Sequence, residues 1–186
     1  MEEVYIGLGS NLGNSALTIL RAWDMLADFD GVELVALSSP YLSAPVNMDS
    51  SHWFTNAVGC LKTHHSAFSL LELMFEVERS LGRSRKNEKR GYQDRSLDLD
   101  MLYFGSSVYD ESKLTIPHPH LHERLFVLKP LVELAPDFAH PSTGVLNHQL
   151  LERLENQIRG GQVPAQEINM GVWPSNSWYE NGQFEE

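Results

Sequence analysis

The spacing of apolar residues along the chain changes period several times, and each change marks an element. Val4 to Ser10 reads as a short apolar strand that turns at Asn11-Leu-Gly-Asn14. Asn14 or Ser15 can cap a helix in which Leu17, Leu20, Trp23 and Leu26 recur at helical spacing, and Gly31 closes that unit. Val32 to Leu42 is a second strand, Ser43 to His52 a loop, and Trp53 to Thr63 a third strand. Ser66 then caps a helix running to about Leu81, with Gly82 as its stop and Leu70, Met74, Val77 and Leu81 as its buried stripe. Residues 97–104 form the next strand. Leu125 to Leu134 is helical and ends before Pro136, and Asn147 to Ile158 forms a last helix. From Gly160 the chain turns polar and rich in Gly, Asn and Gln, although Trp173, Trp178 and Tyr179 remain, and it reads as loosely structured. The expected division is therefore a domain over 1–159 and an extension over 160–186. The order β-α-β-β-α-β followed by helices predicts an α+β, ferredoxin-like split βαβ core.

One strand carries unusual chemistry. In Arg95-Ser-Leu-Asp-Leu-Asp-Met101, Asp98 and Asp100 share one face while Leu97, Leu99 and Met101 fill the other. Side chains two apart on a strand point the same way, about 6–7 Å apart at their bases. Two carboxylates so placed can share a pair of divalent ions about 3.5–4 Å apart. Directly upstream lie Arg83, Arg85, Lys86, Lys89, Arg90 and Arg95. An acidic pair for metal beside a cluster of cations suits polyphosphate chemistry. Glu78, at the edge of its helix stripe, needs a partner because an unpaired buried charge is costly, and the arginine-rich segment can supply one.

Composition narrows the choice. A 186-residue chain that is 42% hydrophobic is most simply one globular domain with a full core. The single cysteine, Cys60, excludes a disulfide framework and sits in an apolar strand. No apolar segment is long enough to span a bilayer, and Met1-Glu-Glu lacks the basic start of a signal peptide, so the expected setting is cytoplasmic, away from membranes. The net charge of −11 argues against a nucleic-acid binder, yet six of the 14 basic residues fall between Arg83 and Arg95. Cations concentrated in this way fit a small, highly charged ligand better than a polymer.

Other motifs weigh less. Gly7-x-Gly9-x-x-x-Gly13 has the wrong spacing for a dinucleotide fingerprint and reads as a tight strand-to-helix turn. His118, His120 and His122 alternate as in a zinc site, but two prolines interrupt the run and no cysteine is near; His118 is a candidate phosphate or leaving-group contact instead. Phe54 and Phe126 each neighbour a polar residue, Asn56 and Arg124, that is hard to explain in a core, and a flat heterocycle could stack between them. These features leave open a magnesium-dependent nucleotidyl or phosphotransferase of another kind, and a nucleic-acid-binding module of similar sheet topology.

Five segments in order carry a family resemblance: Tyr5-Ile-Gly-Leu-Gly-Ser-Asn-Leu-Gly13, Phe54-Thr-Asn-Ala57, Leu81-Gly-Arg-Ser-Arg85, Arg95-Ser-Leu-Asp-Leu-Asp-Met101 and the run from Ile116 to Leu131. Together they resemble 6-hydroxymethyl-7,8-dihydropterin pyrophosphokinase, over about Val4 to Pro141. The resemblance implies a three-layer α/β/α fold with a mainly antiparallel sheet and additional C-terminal helices. It further implies a monomer that moves the terminal pyrophosphate of ATP onto the pterin hydroxymethyl group, releasing AMP, with two Mg2+ ions. By motif, Asp98 and Asp100 would ligate the metal, with Arg83 and Arg95 completing the catalytic set. Glu78, Arg83, Arg85, Tyr92, Arg95, Leu99, Lys113, Thr115, His118 and Arg124 would surround ATP. Ser43, Ala44, Val46, Phe54, Asn56, Arg124 and Phe126 would hold the pterin. The chain departs from the family in reading Arg90-Gly-Tyr-Gln-Asp-Arg95 for Arg-Trp-Gly-Pro-Arg, so that Tyr92 takes the tryptophan's place, and Ser43-Ala-Pro45 for Thr-Pro-Pro.

Overall fold

In the computed structural model, which describes residues 1–45, 51–83 and 94–175, the chain forms a six-stranded antiparallel sheet with helices on both faces and a separate two-stranded sheet. The elements are β1 (Glu2–Ser10), α1 (Ser15–Ala27), β2 (Val32–Leu37), β3 (Tyr41–Ser43), β4 (Phe54–Thr63), α2 (Ala67–Ser80) and β5 (Asp98–Phe104). After these come β6 (Tyr109–Glu111), β7 (Leu114–Ile116), α3 (Leu125–Leu134), α4 (Asn147–Arg159) and β8 (Ile168–Met170). The main sheet runs β5-β1-β4-β3-β8, with β2 also on β4, and every pairing is antiparallel. This is the expected α+β, ferredoxin-like core, since β1, α1, β2, β4, α2 and β5 follow the split βαβ order.

The alternation of residues on the central strands decides what each face does. Val4, Ile6 and Leu8 of β1, Ala57 and Leu61 of β4, and Leu97, Leu99 and Met101 beside and on β5 all enter one core with α1 and α2. Tyr5, Val58, Cys60 and Leu102 point the other way, into a second core with α3 and α4. Both helix caps foreseen from sequence are made: Leu17 N–H donates to Asn14 Oδ1 and Ser69 N–H to Ser66 Oγ. On α1 the fully buried residues are Ile19, Ala22, Trp23 and Leu26, so the stripe is rotated slightly from the one expected. Within the second core, Tyr103 donates to Asn147 Oδ1 (2.8 Å) and Asn147 Nδ2 to the Ala135 carbonyl (2.8 Å), tying β5 to both covering helices.

Two expectations change. The strand read from Val32 to Leu42 is two strands, because Pro40 has no N–H for a ladder and Ser38 takes over the partner's hydrogen bond: Val58 N–H donates to Ser38 Oγ and Ser38 N–H to the Val58 carbonyl. The segment beyond Gly160 read as loosely structured supplies β8, whose residues pair with β3 in the register Tyr41 with Met170 and Ser43 with Ile168. Trp173 adds an indole N–H to the Ser38 carbonyl at 2.9 Å. Trp178 and Tyr179 lie outside the described residues.

Gly59 shows how tightly the α1 side is packed. A Cβ at this position would fall 2.2 Å from the Trp23 ring. Gly59→Ala is therefore expected to lower stability by about 1–3 kcal/mol, the usual cost of overpacking, measured by chemical denaturation; an unchanged midpoint would mean that Trp23 moves freely.

Candidate active site

On the α3 side of the sheet, β1 carries glycine where a neighbour would carry a side chain. Gly7 lies opposite Asp100 and Gly9 opposite both Asp98 and Asn56 in the strand register. A Cβ at Gly9 would sit 3.3 Å from Asn56 Oδ1, and one at Gly7 3.9 Å from the Asp100 Cβ. The missing side chains open a cleft of about 350 Å3, floored by β1, β4 and β5. The motif read as a tight turn is thus split in role. Gly7 and Gly9 are strand residues that make room, whereas Gly13 alone sits in the turn, at φ +62°.

Polar and aromatic groups stand at different parts of this cleft. Its wall includes Asp98, Asp100, Arg95, His118 and Arg124 together with Ser43, Ala44, Phe54, Asn56 and Phe126. Residues from four of the five segments that carry the family resemblance, together with Ser43 and Ala44, therefore meet around one opening. The Arg124 guanidinium lies 5.6 Å from the centroid of the Phe126 ring, a cation–π distance. Asn56 donates through Nδ2 to Ser43 Oγ (3.0 Å), which locks both residues on adjacent strands.

Behind the cleft runs a chain of alternating charge. Glu78 is only 1% exposed, and its carboxylate accepts the Arg83 guanidinium and the Leu99 backbone N–H at 2.9 Å. Arg83 in turn pairs with one oxygen of Asp98, and Arg95 pairs with the other. Burial alone would raise the Asp98 carboxyl, but Arg95 and Arg83 outweigh it and hold it below the ordinary carboxylate range. Arg95 is positioned by Asn11, the residue that follows β1: its N–H donates to Asn11 Oδ1 (2.6 Å), and Asn11 donates through its own N–H to the Arg95 carbonyl (3.1 Å) and through Nδ2 to Asp94 (2.6 Å).

Asp100 meets the opposite environment. Its side chain is 42% exposed to the cleft, with His118 Nε2 4.0 Å away. Desolvation first, and the neighbouring Asp98 charge second, push its carboxyl up to about 7. His118 is held neutral, down to about 4, by burial and then by Arg124. Because His118 Nδ1 accepts the His120 N–H (3.2 Å), the neutral ring carries its proton on Nε2, aimed toward Asp100.

The candidate residues sort accordingly. Arg95, Asp98, Asp100, His118, Arg124, Phe54, Phe126, Asn56, Ser43 and Ala44 converge on the cleft. Glu78 and Arg83 stand behind it, acting on Asp98 rather than lining the opening. Leu99 turns its side chain into the opposite core, and its N–H is taken by Glu78. Lys113 and Thr115 are exposed on the β6–β7 hairpin, away from the cleft wall. The Ala44 N–H is already engaged, donating to the Glu167 carbonyl at 3.1 Å. Val46, Arg85 and Tyr92 lie outside the described residues. Sequence reasoning missed the floor formed by Gly7 and Gly9, which their spacing of two on a strand could have revealed, and the clamp made by Asn11.

The donor set suits a hard cation. Among the described residues no three His, Cys, Asp or Glu side chains gather to cage a metal. The two carboxylates on one face, one of them poorly compensated by neighbouring cations, match an ion that keeps water and takes further oxygens from a phosphate ligand. Each Asp98 oxygen that accepts a guanidinium N–H retains a second lone pair.

The sequence matches the family described as 7,8-dihydro-6-hydroxymethylpterin-pyrophosphokinase over residues 5–136. A Methylorubrum extorquens protein named 2-amino-4-hydroxy-6-hydroxymethyldihydropteridine pyrophosphokinase is 40% identical over 138 residues, 74% of this chain and 85% of that one. A Haemophilus influenzae protein of the same name is 34% identical over 85% of this chain and 97% of its own length. Among solved structures, a Plasmodium falciparum HPPK-DHPS crystal structure with pteroate superposes with a TM-score of 0.70 at 12% identity. That likeness covers 87% of this chain and 46% of that one, so the chain spans under half the length of the structural relative, and it carries the fold alone.

The raised Asp100 carboxyl makes a stability prediction. Between the ordinary carboxylate range and about pH 7 the folded state holds a proton that the unfolded chain has released, so this group costs stability as pH rises through that window. Asp100→Asn is expected to raise the melting temperature of the metal-free protein at pH 8 and to change it much less at pH 5. Equal effects at both values would contradict the charge environment described.

Proposed function

Because the chain belongs to the 7,8-dihydro-6-hydroxymethylpterin-pyrophosphokinase family, and so transfers pyrophosphate from ATP to the hydroxymethyl group of 6-hydroxymethyl-7,8-dihydropterin in folate biosynthesis, we propose that the glycine-floored cleft is where it does so. The observation that carries this reading is the joining of an acidic pair, two arginines and two phenyl rings around one opening, with Arg83 behind it on Asp98. Phe54, Phe126 and Asn56, with Ser43, Ala44 and Val46, bind the pterin: the rings supply flat apolar faces and Asn56 polar recognition at the edge. Arg95, Arg124 and His118, with Arg85, face the triphosphate, Arg83 and Glu78 support that end from behind through Asp98, and Leu99, Tyr92, Lys113 and Thr115 meet the rest of the nucleotide beyond the cleft wall.

Asp98 and Asp100 hold two Mg2+ ions, which when bound supply Lewis-acid screening of the phosphate charge. The remaining work falls to this chain's own side chains. Arg95 and Arg83, already aimed by Asn11 and Glu78, neutralise charge without reorganising during the reaction. His118 donates its Nε2–H to a phosphate oxygen. The pterin hydroxyl oxygen bonds to the β-phosphorus, the bond from that phosphorus to the bridging oxygen of AMP breaks, and the hydroxyl proton passes to solvent. Positioning and electrostatics, rather than covalent chemistry by the protein, carry the rate. The catalytic domain spans 1–159, with 160–186 as an extension whose strand β8 joins the domain's sheet, and the protein works as a cytoplasmic monomer. No helix among the described residues is long and apolar enough to cross a membrane.

The test is AMP production. AMP is expected from ATP only when both the dihydropterin and magnesium are supplied, and not in chelator. Asp100→Asn is expected to lower turnover by at least about 100-fold, beyond the usual effect of losing a metal's outer partner. ADP as product, turnover without pterin, or an Asp100→Asn enzyme of normal rate would each overturn the assignment.

A further inference from the structure

Helix α3 begins without a side-chain cap of its own. The group that completes its start comes from 41 residues further along the chain. Gln166 Oε1 accepts the Leu125 N–H at 2.8 Å, and Gln166 Nε2 donates to the Glu123 carbonyl at 2.8 Å. One carboxamide thus brackets Arg124 by holding the backbone on either side of it. Arg124 is the residue that projects into the cleft over the Phe126 ring.

The next residue grips the opposite wall. The Glu167 carbonyl accepts the Ala44 N–H at 3.1 Å, and from Ile168 the strand β8 pairs with β3, where Ser43 in turn accepts from Asn56. Two further bonds anchor this segment beyond the cleft, Gly171 N–H to the Pro40 carbonyl (2.7 Å) and Trp173 Nε1 to the Ser38 carbonyl (2.9 Å). Adjacent residues of the C-terminal segment therefore join the β3 wall of the cleft to the α3 wall. The family match ends at residue 136, before this segment begins.

We propose that Gln166 is a positioning residue for acceptor binding: by bracketing Arg124 it fixes Arg124 and Phe126 at a set distance from Ser43 and Asn56, and so sets the width of the pterin slot. This inference rests on the cleft being the pterin site. Gln166 touches no reactant; it acts through the backbone of Glu123 and Leu125. Removing it leaves a helix N–H and a carbonyl to water and lets the two walls drift apart, while Asp98, Arg83 and Arg95 keep their own supports.

The experiment compares three variants in steady-state turnover and in thermal unfolding. Gln166→Ala is expected to raise the pterin KM by about tenfold, the scale of one or two net hydrogen bonds, with a clearly smaller change in the ATP KM. Trp173→Phe removes an anchor of the same segment away from the cleft, so it should cost comparable thermal stability and leave the pterin KM within about twofold. Phe126→Ala tests the slot itself and should raise the pterin KM. If Gln166→Ala leaves the pterin KM unchanged, or raises it only as far as Trp173→Phe does, the positioning role is overturned while the slot stands. If Phe126→Ala also leaves the pterin KM unchanged, the slot falls and the inference with it.

Discussion

The alternating ion-pair chain from Glu78 through Arg83 and Asp98 to Arg95 is the constraint on which the site depends. Its members come from α2, the segment after it, the segment before β5, and β5 itself. Burying Glu78 unpaired would cost several kcal/mol, and breaking a buried pair typically costs about 3–5 kcal/mol. The chain therefore cannot close its α2 side without drawing Arg83 to Asp98. The Leu99 N–H on Glu78 locks that arrangement to the strand. Folding and preparation of the Asp98 end of the cleft are one event here.

A second consequence follows from the contrast between two residues one pleat apart. Asp98 is paired with two guanidinium groups and stays ionised, whereas Asp100 faces the cleft with a neutral histidine 4.0 Å away, and Arg124 and Arg95 do not offset its burial and the Asp98 charge. The ion pairs serve the fold as well as the proposed site, whereas the under-compensated carboxylate is the one left open to a ligand. Such a division lets the protein hold a costly charge only where a ligand will cover it. The space for that ligand comes from β1, whose Gly7 and Gly9 leave the floor bare opposite the two aspartates.

Much of this was legible in the sequence, and the reasons are local. Leu97, Leu99 and Met101 alternating with Asp98 and Asp100 define a strand with one dry face whatever the tertiary context. The caps Asn14 and Ser66 and the need of Glu78 for a cation likewise follow from nearby residues. What escaped depended on partners distant in sequence. Ser38 replaces a ladder bond only because Val58 lies beside it, and β8 forms because the backbone of β3 offers an open edge, which no side-chain pattern in a polar tail announces. The bracket made by Gln166 is equally invisible, since its two partners are backbone atoms of Glu123 and Leu125. Gly7 and Gly9 fall inside the strand expected over Val4 to Ser10, but only the register with Asp98 and Asp100 shows that their missing side chains, read as part of a tight turn, make room instead.

The most direct test of the division between the two aspartates is to follow their carboxyl carbons by NMR as pH is varied, first in the free protein and then with magnesium and a non-hydrolysable ATP analogue. In the free protein Asp98 should titrate below the ordinary carboxylate range and Asp100 near 7. With magnesium and the analogue bound, Asp100 should fall to join Asp98, because a covering cation removes the cost of its charge. Two carboxyls that titrate alike in the free protein, or an Asp100 that does not respond to the metal and nucleotide, would contradict the account.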